Sequence, residues 1–250
     1  ARIRIPDAYS DRLGGVQLMA SGQPMQLPLG VKLRDEATFD SFYSGPNAPL
    51  LTLLHALADP AQTPVEHCVY LWGAPDSGRS HLLQAACQRM AQTGALAMYL
   101  PLREVMDHGP QLLDGMEEVD LLCLDDLEVL AGHADWEEAL FHIYNRIQQR
   151  QGRLLMAAAA APRALGFQLP DLVSRLGWGL VFHLQTLDDE EKQQMLQMRA
   201  ARRGLQLSDE VARYILSRGA RGMGELFAAL EQLDQASLQA QHRLTIPFVK

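Results

Sequence analysis

Gly73-Ala74-Pro75-Asp76-Ser77-Gly78-Arg79-Ser80 is the stretch on which the reading of this 250-residue chain turns. It follows the phosphate-binding pattern G-x-x-x-x-G-K-[ST], with arginine where lysine is expected. Two glycines let the backbone curl so that successive N–H groups face phosphate oxygens. The helix that follows adds its positive N-terminal end. A lysine reaches the terminal phosphates as a compact point charge, which a planar guanidinium does not reproduce. The loop therefore predicts nucleotide binding with poor turnover. Gly73, Asp76, Ser77, Gly78, Arg79, Ser80 and His81 are the candidate phosphate-side residues.

The flanking sequence raises the specificity of this motif. His67-Cys68-Val69-Tyr70-Leu71-Trp72 is a short apolar run of the kind a buried parallel strand shows. Ser80 to Met90 has helical periodicity in Leu82, Leu83, Ala86 and Met90, and Gly94 is a plausible stop. Strand, glycine loop and helix is the order the chemistry requires. An ordinary strand-to-helix turn is the plainer alternative.

Other strand-like runs alternate with helical ones: Val69–Trp72, Ala95–Leu100, Val119–Leu124, Arg153–Ala159 and Leu180–Leu184, with helices over Ser80–Thr93 and Trp136–Gln149. That alternation predicts an α/β domain, a parallel sheet covered by helices on both faces. Upstream, Thr38 to Ala58 sets aromatic residues before a helical pattern of Leu50, Leu53, Leu54 and Leu57. After Leu187 the strands stop. Asp188-Asp189-Glu190-Glu191 is an acidic helix start, Ser208-Asp209-Glu210 opens a second helix over Val211–Ser217, and 222 to about 241 suggests a third. The expected organisation is a flexible leader over 1–30, an α/β domain over 31–187 and a small helical lid over 188–250. Met19 is a candidate initiator within the leader, and whether residues 1–18 are natural stays open.

Composition narrows the class. Apolar residues make up 48%, no run approaches membrane-spanning length, and Ala1 to Ser21 carries scattered charges without the apolar centre of a secretory signal. Cys68, Cys87 and Cys123 have no paired spacing and read as core thiols of a reducing compartment, so a cytoplasmic location is expected. A net charge of −8 argues against nonspecific DNA gripping as the main task. Arg199, Arg202, Arg203, Arg213, Arg218 and Arg221 form a local basic patch, read as a solvated helix face ahead of a nucleic-acid or partner contact.

Leu121-Leu122-Cys123-Leu124-Asp125-Asp126 is the second strong signal: an apolar strand ending in carboxylates, where the first acid helps hold Mg²⁺ near phosphates. Asp125 with Ser80 is the candidate metal pair, and Asp126 is a candidate for polarising water. Strand alternation predicts that the two acids face opposite ways.

Asp171-Leu172-Val173-Ser174-Arg175-Leu176-Gly177-Trp178-Gly179-Leu180 is the third. Taken with Thr38-Phe39-Asp40-Ser41-Phe42, Gly78-Arg79-Ser80-His81-Leu82-Leu83 and the tail Leu244-Thr245-Ile246-Pro247-Phe248-Val249-Lys250, it resembles the initiator-type AAA+ ATPases related to the bacterial replication initiator DnaA. It is still more similar to the shorter DnaA-homologous regulators of the Hda family, over residues 23–250. The arginine P-loop and the tail carry that closer match.

The resemblance implies that Arg175 is an arginine finger offered to a nucleotide on a neighbouring subunit, a device worth roughly 10³–10⁵ in rate. It implies a nucleoside diphosphate, ADP by default with the base left open, and Mg²⁺ as a possible companion. It nominates Phe39, Phe42 and Tyr43 on the nucleoside side, a core role being an equal alternative. Where the family carries a polar sensor, this chain has Ala157-Ala158-Ala159-Ala160-Ala161-Pro162. Where the lid sensor arginine stands, it has Gly224, with Arg221 a neighbouring substitute. Its own hydrolysis is therefore expected to be weak or absent.

By the same resemblance, Gln23-Pro24-Met25-Gln26-Leu27-Pro28-Leu29 is a peptide for the DNA polymerase sliding clamp, with Gln23, Gln26, Leu27, Pro28 and Leu29 as contacts. Gly30 stands where a terminal aromatic would complete the pattern. The implied function is negative regulation of replication initiation, by stimulating ATP hydrolysis on DnaA together with the DNA-loaded clamp. The expected partners are DnaA and the clamp, with DNA reached mainly through the clamp, no membrane, and self-association through AAA+ faces left open. The chain ends soon after the lid, so a helix-turn-helix domain is not expected. A self-contained AAA+ loader or motor is the alternative, and a P-loop kinase is a weaker one, lacking an evident acceptor site.

Overall fold

The computed structural model describes residues 33, 37–218 and 222–240. Gln23, Gln26, Leu27, Pro28, Leu29, Arg221 and the tail 244–250 lie outside the described residues. The chain divides into two compact units, one formed by 1–42, 48–74 and 78–184, the other by 43–47, 75–77 and 185–250.

The first unit is built on five strands, β1 (Cys68–Trp72), β2 (Ala97–Pro101), β3 (Leu121–Asp125), β4 (Arg153–Ala158) and β5 (Leu180–His183). They form one parallel sheet in the order β2-β3-β4-β1-β5. Its helices are α1 (Ala48–Leu57), α2 (Arg79–Gln92), α3 (Leu102–Val105), α4 (Ala134–Gln149) and α5 (Pro170–Leu176). Five parallel strands with helices are what the alternating pattern predicted. Every strand predicted from sequence is present, with ends displaced by at most two residues. The stretch after β2 is the part the pattern did not resolve. It forms the one-turn α3 and short 3₁₀ turns at Met106–His108, Pro110–Leu113 and Met116–Glu118.

The two sheet faces separate by strand alternation. Cys68 and Tyr70 of β1 and Leu122 and Leu124 of β3 join Leu140, Ile143 and Tyr144 of α4 in one core cluster. Val69 and Leu71 of β1 and Leu121 and Cys123 of β3 join Leu82, Leu83 and Met90 of α2 in the other. Because side chains on a strand alternate faces, apolar residues at every position require cover on both sides. Each fully buried leucine contributes about 1.5–3 kcal/mol before the entropy of ordering it is charged.

The second unit contains α6 (Asp189–Arg202), α7 (Asp209–Arg218) and α8 (Met223–Ala240). Asp188 caps α6, accepting from the Glu191 N–H, while the Glu191 carboxylate accepts from the Asp188 N–H. This reciprocal cap explains why the acidic run starts the helix. Met195, Leu196, Val211, Ile215, Leu226 and Leu230 form the unit's core.

Candidate nucleotide site and the Arg175 corner

β1 delivers the chain to the loop at Gly73, whose N–H donates to the Ala158 carbonyl at 3.4 Å. The backbone then passes through left-handed conformations at Asp76 (φ 61°) and Gly78 (φ 96°). At Gly78 a side chain is excluded twice: by φ, and because a Cβ would stand 2.6 Å from the Phe42 ring. Gly78 is also the N-cap of α2, and no side chain caps that end. The first-turn N–H groups and the helix dipole are thus presented without a competing side-chain acceptor.

Among the described residues, two polar atoms of the loop, Ser77 Oγ and Arg79 Nη1, are buried without a hydrogen-bond partner. Each buried orphan costs about 1–3 kcal/mol. An anion with several acceptor oxygens would relieve them, so these residues fit a nucleotide phosphate group. Arg79 lies within electrostatic reach of Tyr70, whose phenol is pushed well above its ordinary range by burial first and by Glu128 second, with Arg79 opposing. That phenol donates to the Ala160 carbonyl at 2.8 Å.

Asp125 closes β3 at 2% exposure. Its Oδ2 accepts from the Tyr99 hydroxyl at 2.8 Å and its Oδ1 from the Asp126 N–H at 3.0 Å. Burial raises its pKa above the ordinary carboxylate value, against hydrogen bonds from Ser80 and Tyr99. Ser80 and Asp125 are therefore together, as a Mg²⁺ pair requires. Among the described residues no cluster of three His, Cys, Asp or Glu side chains could hold a metal ion. One carboxylate, one hydroxyl and phosphate oxygens suffice for Mg²⁺.

Asp126 corrects the expectation that strand alternation sets its direction. It lies past the end of β3 in a left-handed conformation (φ 59°, ψ 45°), where alternation no longer applies. Its carboxylate is 3.4 Å from the Arg103 guanidinium, which also pairs with Glu128. The alanine run offers only backbone here: the Ala159 N–H donates to Glu128 Oε2 at 3.0 Å. Tyr99, Arg103 and Glu128 were not visible as site residues in the sequence, because each acts across strands or loops.

The residues nominated for the nucleoside part ways. Phe39 is 6% exposed and packs in the core, 4.5 Å from the His55 ring, so its ring is spent there. Phe42 covers Gly78 and stands 5.6 Å from the His81 ring. In the second unit, the Tyr43 hydroxyl donates to Gln194 Oε1. Burial, then Glu191, Asp188 and Glu190, raise the Tyr43 pKa. Thr38 and Ser41 cap each other, and His81 Nε2 lies 2.8 Å from the Thr38 carbonyl and 3.3 Å from Ser41 Oγ. The Thr38–Phe42 stretch is thereby fastened to the first turn of α2. Gly224 sits in the first turn of α8. Arg199 lies 3.5 Å over the Phe227 ring, and Arg213 Nε donates to the Asp209 carbonyl, so part of the basic patch serves its own helices.

Arg175 lies in the last turn of α5, its guanidinium 4.3 Å above the ring of Trp178, which is 67% exposed. Among the described residues no carboxylate pairs with it. Gly179 follows, and a Cβ there would collide with the Cys68 carbonyl oxygen. The Arg175–Gly179 turn is thus pressed against the start of β1, whereas the phosphate loop leaves its end. At about 3.3 Å per residue, Cys68 to Trp72 separates them by about 13 Å. Beside Trp178 runs a groove of about 640 Å³, lined by Pro162, Arg163, Val173 and Val181 among others.

Comparison with known proteins fits this geometry. The family model for the bacterial DnaA ATPase domain matches residues 33–183, and the model for the Hda lid domain matches residues 189–250. Domain III of the Thermotoga maritima initiation protein DnaA is 21% identical, with a TM-score of 0.72 over 88% of this chain and 96% of that one. AMPPCP-bound DnaA from Aquifex aeolicus is also 21% identical, with a TM-score of 0.67 over 83% of this chain and 68% of that one. A Thermotoga maritima RuvB variant reaches a TM-score of 0.60 at 18% identity, over 85% of this chain and 71% of that one. This chain belongs to the bacterial DnaA ATPase-domain family of AAA+ proteins and carries the Hda lid domain at its C-terminal end.

Proposed function

We propose that this chain is a nucleotide-bound regulator of DNA replication initiation that stimulates ATP hydrolysis by DnaA, supplying Arg175 as a finger in trans. The observation that carries the reading is the position of Arg175. Its turn closes at Gly179, packed against the Cys68 carbonyl at the start of β1, whereas the phosphate loop leaves the end of that strand. Its guanidinium lies over the exposed Trp178 ring and has no carboxylate partner among the described residues. A guanidinium so placed is available to a nucleotide held by another subunit, where it would offset charge developing on the transferred phosphoryl group.

In its own site the chain holds a nucleoside diphosphate, ADP by default. The loop N–H groups, Ser77 and Arg79 surround the phosphates, and Ser80 with Asp125 would hold Mg²⁺. Such an ion would supply positive charge that offsets the phosphate charge. Arg79 in place of lysine and the bare alanines after β4 leave little to activate water, so the nucleotide is structural. The domain division at 31–187 and 188–250 and the cytoplasmic location belong to the same reading. The leader peptide around Gln23–Leu29 tethers the protein to the DNA-loaded sliding clamp, which brings it to DNA.

The Ser80–Asp125 pair favours a second reading, a self-contained AAA+ ATPase working as a replication loader or motor. One experiment separates them: hydrolysis of DnaA-bound ATP with this protein and DNA-loaded clamp, wild type against Arg175→Ala. Stimulation lost in the variant while ADP binding persists supports the finger. Equal stimulation by both overturns it. Turnover by this chain alone, abolished by Asp126→Asn, supports the motor.

A further inference from the structure

The geometry points to Glu137 as a positioning residue for Arg175, acting through the entry to α5; the inference rests on the reading of Arg175 as a finger. Glu137 lies in the first turn of α4 and is 1% exposed. A carboxylate this deeply buried needs strong partners. Among the described residues it has no cation, and backbone groups take that place. Oε1 accepts from the Gly132 N–H at 2.8 Å, and Oε2 accepts from the Gln168 and Leu169 N–H groups, both at 2.8 Å.

Those last two donors matter because of where they sit. Leu169 is the N-cap of α5, Pro170 is its first residue and has no N–H, and no side chain caps the helix. α5 has seven residues, too few to hold a helical conformation unaided. Two things fix it. Leu172 and Leu176 are buried in the core shared with α4, and Glu137 grips the chain on its way in. The segment before it alternates: Leu165, Phe167 and Leu169 pack against the same core, while Arg163, Ala164, Gly166 and Gln168 are exposed and Gly166 takes φ 81°. Apolar contacts thus set its depth, and Glu137 holds its backbone N–H groups. The leucines set how deep α5 sits, and the carboxylate sets where its axis begins. Together they decide where the guanidinium six residues after Leu169 stands. A displacement of about 1 Å at a catalytic group can cost on the order of 10²-fold in rate.

Glu137→Gln keeps the volume but leaves one acceptor oxygen and turns an NH₂ group toward a backbone donor. The test uses the full chain with DnaA and DNA-loaded clamp, comparing Glu137→Gln, Arg175→Ala and the double variant. Expected for Glu137→Gln are amide exchange at Gln168 and Leu169 at least tenfold faster, ADP affinity within about twofold of wild type, and a maximal stimulated rate lower by roughly 10–100-fold. The half-saturating concentration should be unchanged, and the double variant should be no worse than Arg175→Ala alone. Faster exchange with full stimulation overturns the proposal, and so do single losses that multiply in the double variant. If Arg175→Ala stimulates normally while Glu137→Gln does not, the finger reading falls instead and Glu137 serves another group. Should Glu137→Gln lose ADP binding, Glu137→Asp keeps the charge and withdraws it by one methylene. A severalfold loss of maximal rate is then expected, and full activity overturns the proposal.

Discussion

The phosphate loop and the Arg175 corner are both polar sites at the ends of one strand, and they are built in opposite senses. At the loop two polar atoms are buried and, among the described residues, unsatisfied: Ser77 Oγ and Arg79 Nη1 lack partners, and the α2 N-terminus has no side-chain cap. At the corner the cation lies over an exposed indole beside an open groove. A site that buries unsatisfied groups is made to receive a ligand and is stabilised by it. A site that displays a cation is made to be received. The difference supports the proposed reading, in which the nucleotide serves the chain's own stability and the arginine serves a partner.

The sharpest way to break this comparison is Arg175→Ala. It should lower stimulated hydrolysis on DnaA by roughly 10³-fold or more, the usual worth of a finger, without altering ADP binding in a direct titration. Next comes Gly78→Ala, where strain at φ 96° and the collision with Phe42 act together. ADP affinity should fall roughly 100-fold, about 3 kcal/mol. Shrinking Phe42 to alanine in addition should not restore it, because the φ strain remains.

Gly179→Ala should act at the corner alone. Forcing a Cβ into the Cys68 carbonyl should destabilise the fold by about 1–3 kcal/mol, read from urea unfolding, and disturb Arg175 more than the loop. Trp178→Ala removes the stacking surface. An exposed cation–π contact of about 0.5–1 kcal/mol predicts a two- to fivefold drop in stimulated rate.

The smallest effect sharpens the loop side. Burial raises the Asp125 pKa above its unfolded value, so the folded state binds the proton more tightly than the unfolded state. That contribution to stability is fully present below the unfolded value of 3.8 and is lost as pH rises through the folded pKa. Urea unfolding of the nucleotide-free protein should show this loss as pH rises above 3.8, Asp125→Asn should flatten it, and Mg²⁺ with ADP should offset it.

Much of this architecture was legible in the chain because it depends on local periodicity. Apolar runs of four to six residues marked the strands, and the helical spacing of Leu82, Leu83, Ala86 and Met90 marked α2. The glycine loop and the acid-ended strand marked the phosphate side, since that chemistry demands fixed spacing. The 3₁₀ turns between β2 and β3 were not legible: no pattern repeats there, and packing of Leu112, Leu113 and Met116 sets their course. Phe39, read as a nucleoside contact or a core residue, turned out to be core, a choice only packing makes.

By itself the sequence determined the parallel α/β layout and the glycine loop between β1 and α2, because each follows from neighbours in the chain. Only the tertiary structure decided that Asp126 leaves the strand and meets Arg103, that Tyr99 donates to Asp125, and that Glu137 ties the entry of α5. It alone set Gly179, which closes the Arg175 turn, against the Cys68 carbonyl at the start of β1. Those relations join residues from 23 to 111 positions apart, and no local pattern encodes where two distant backbones will meet.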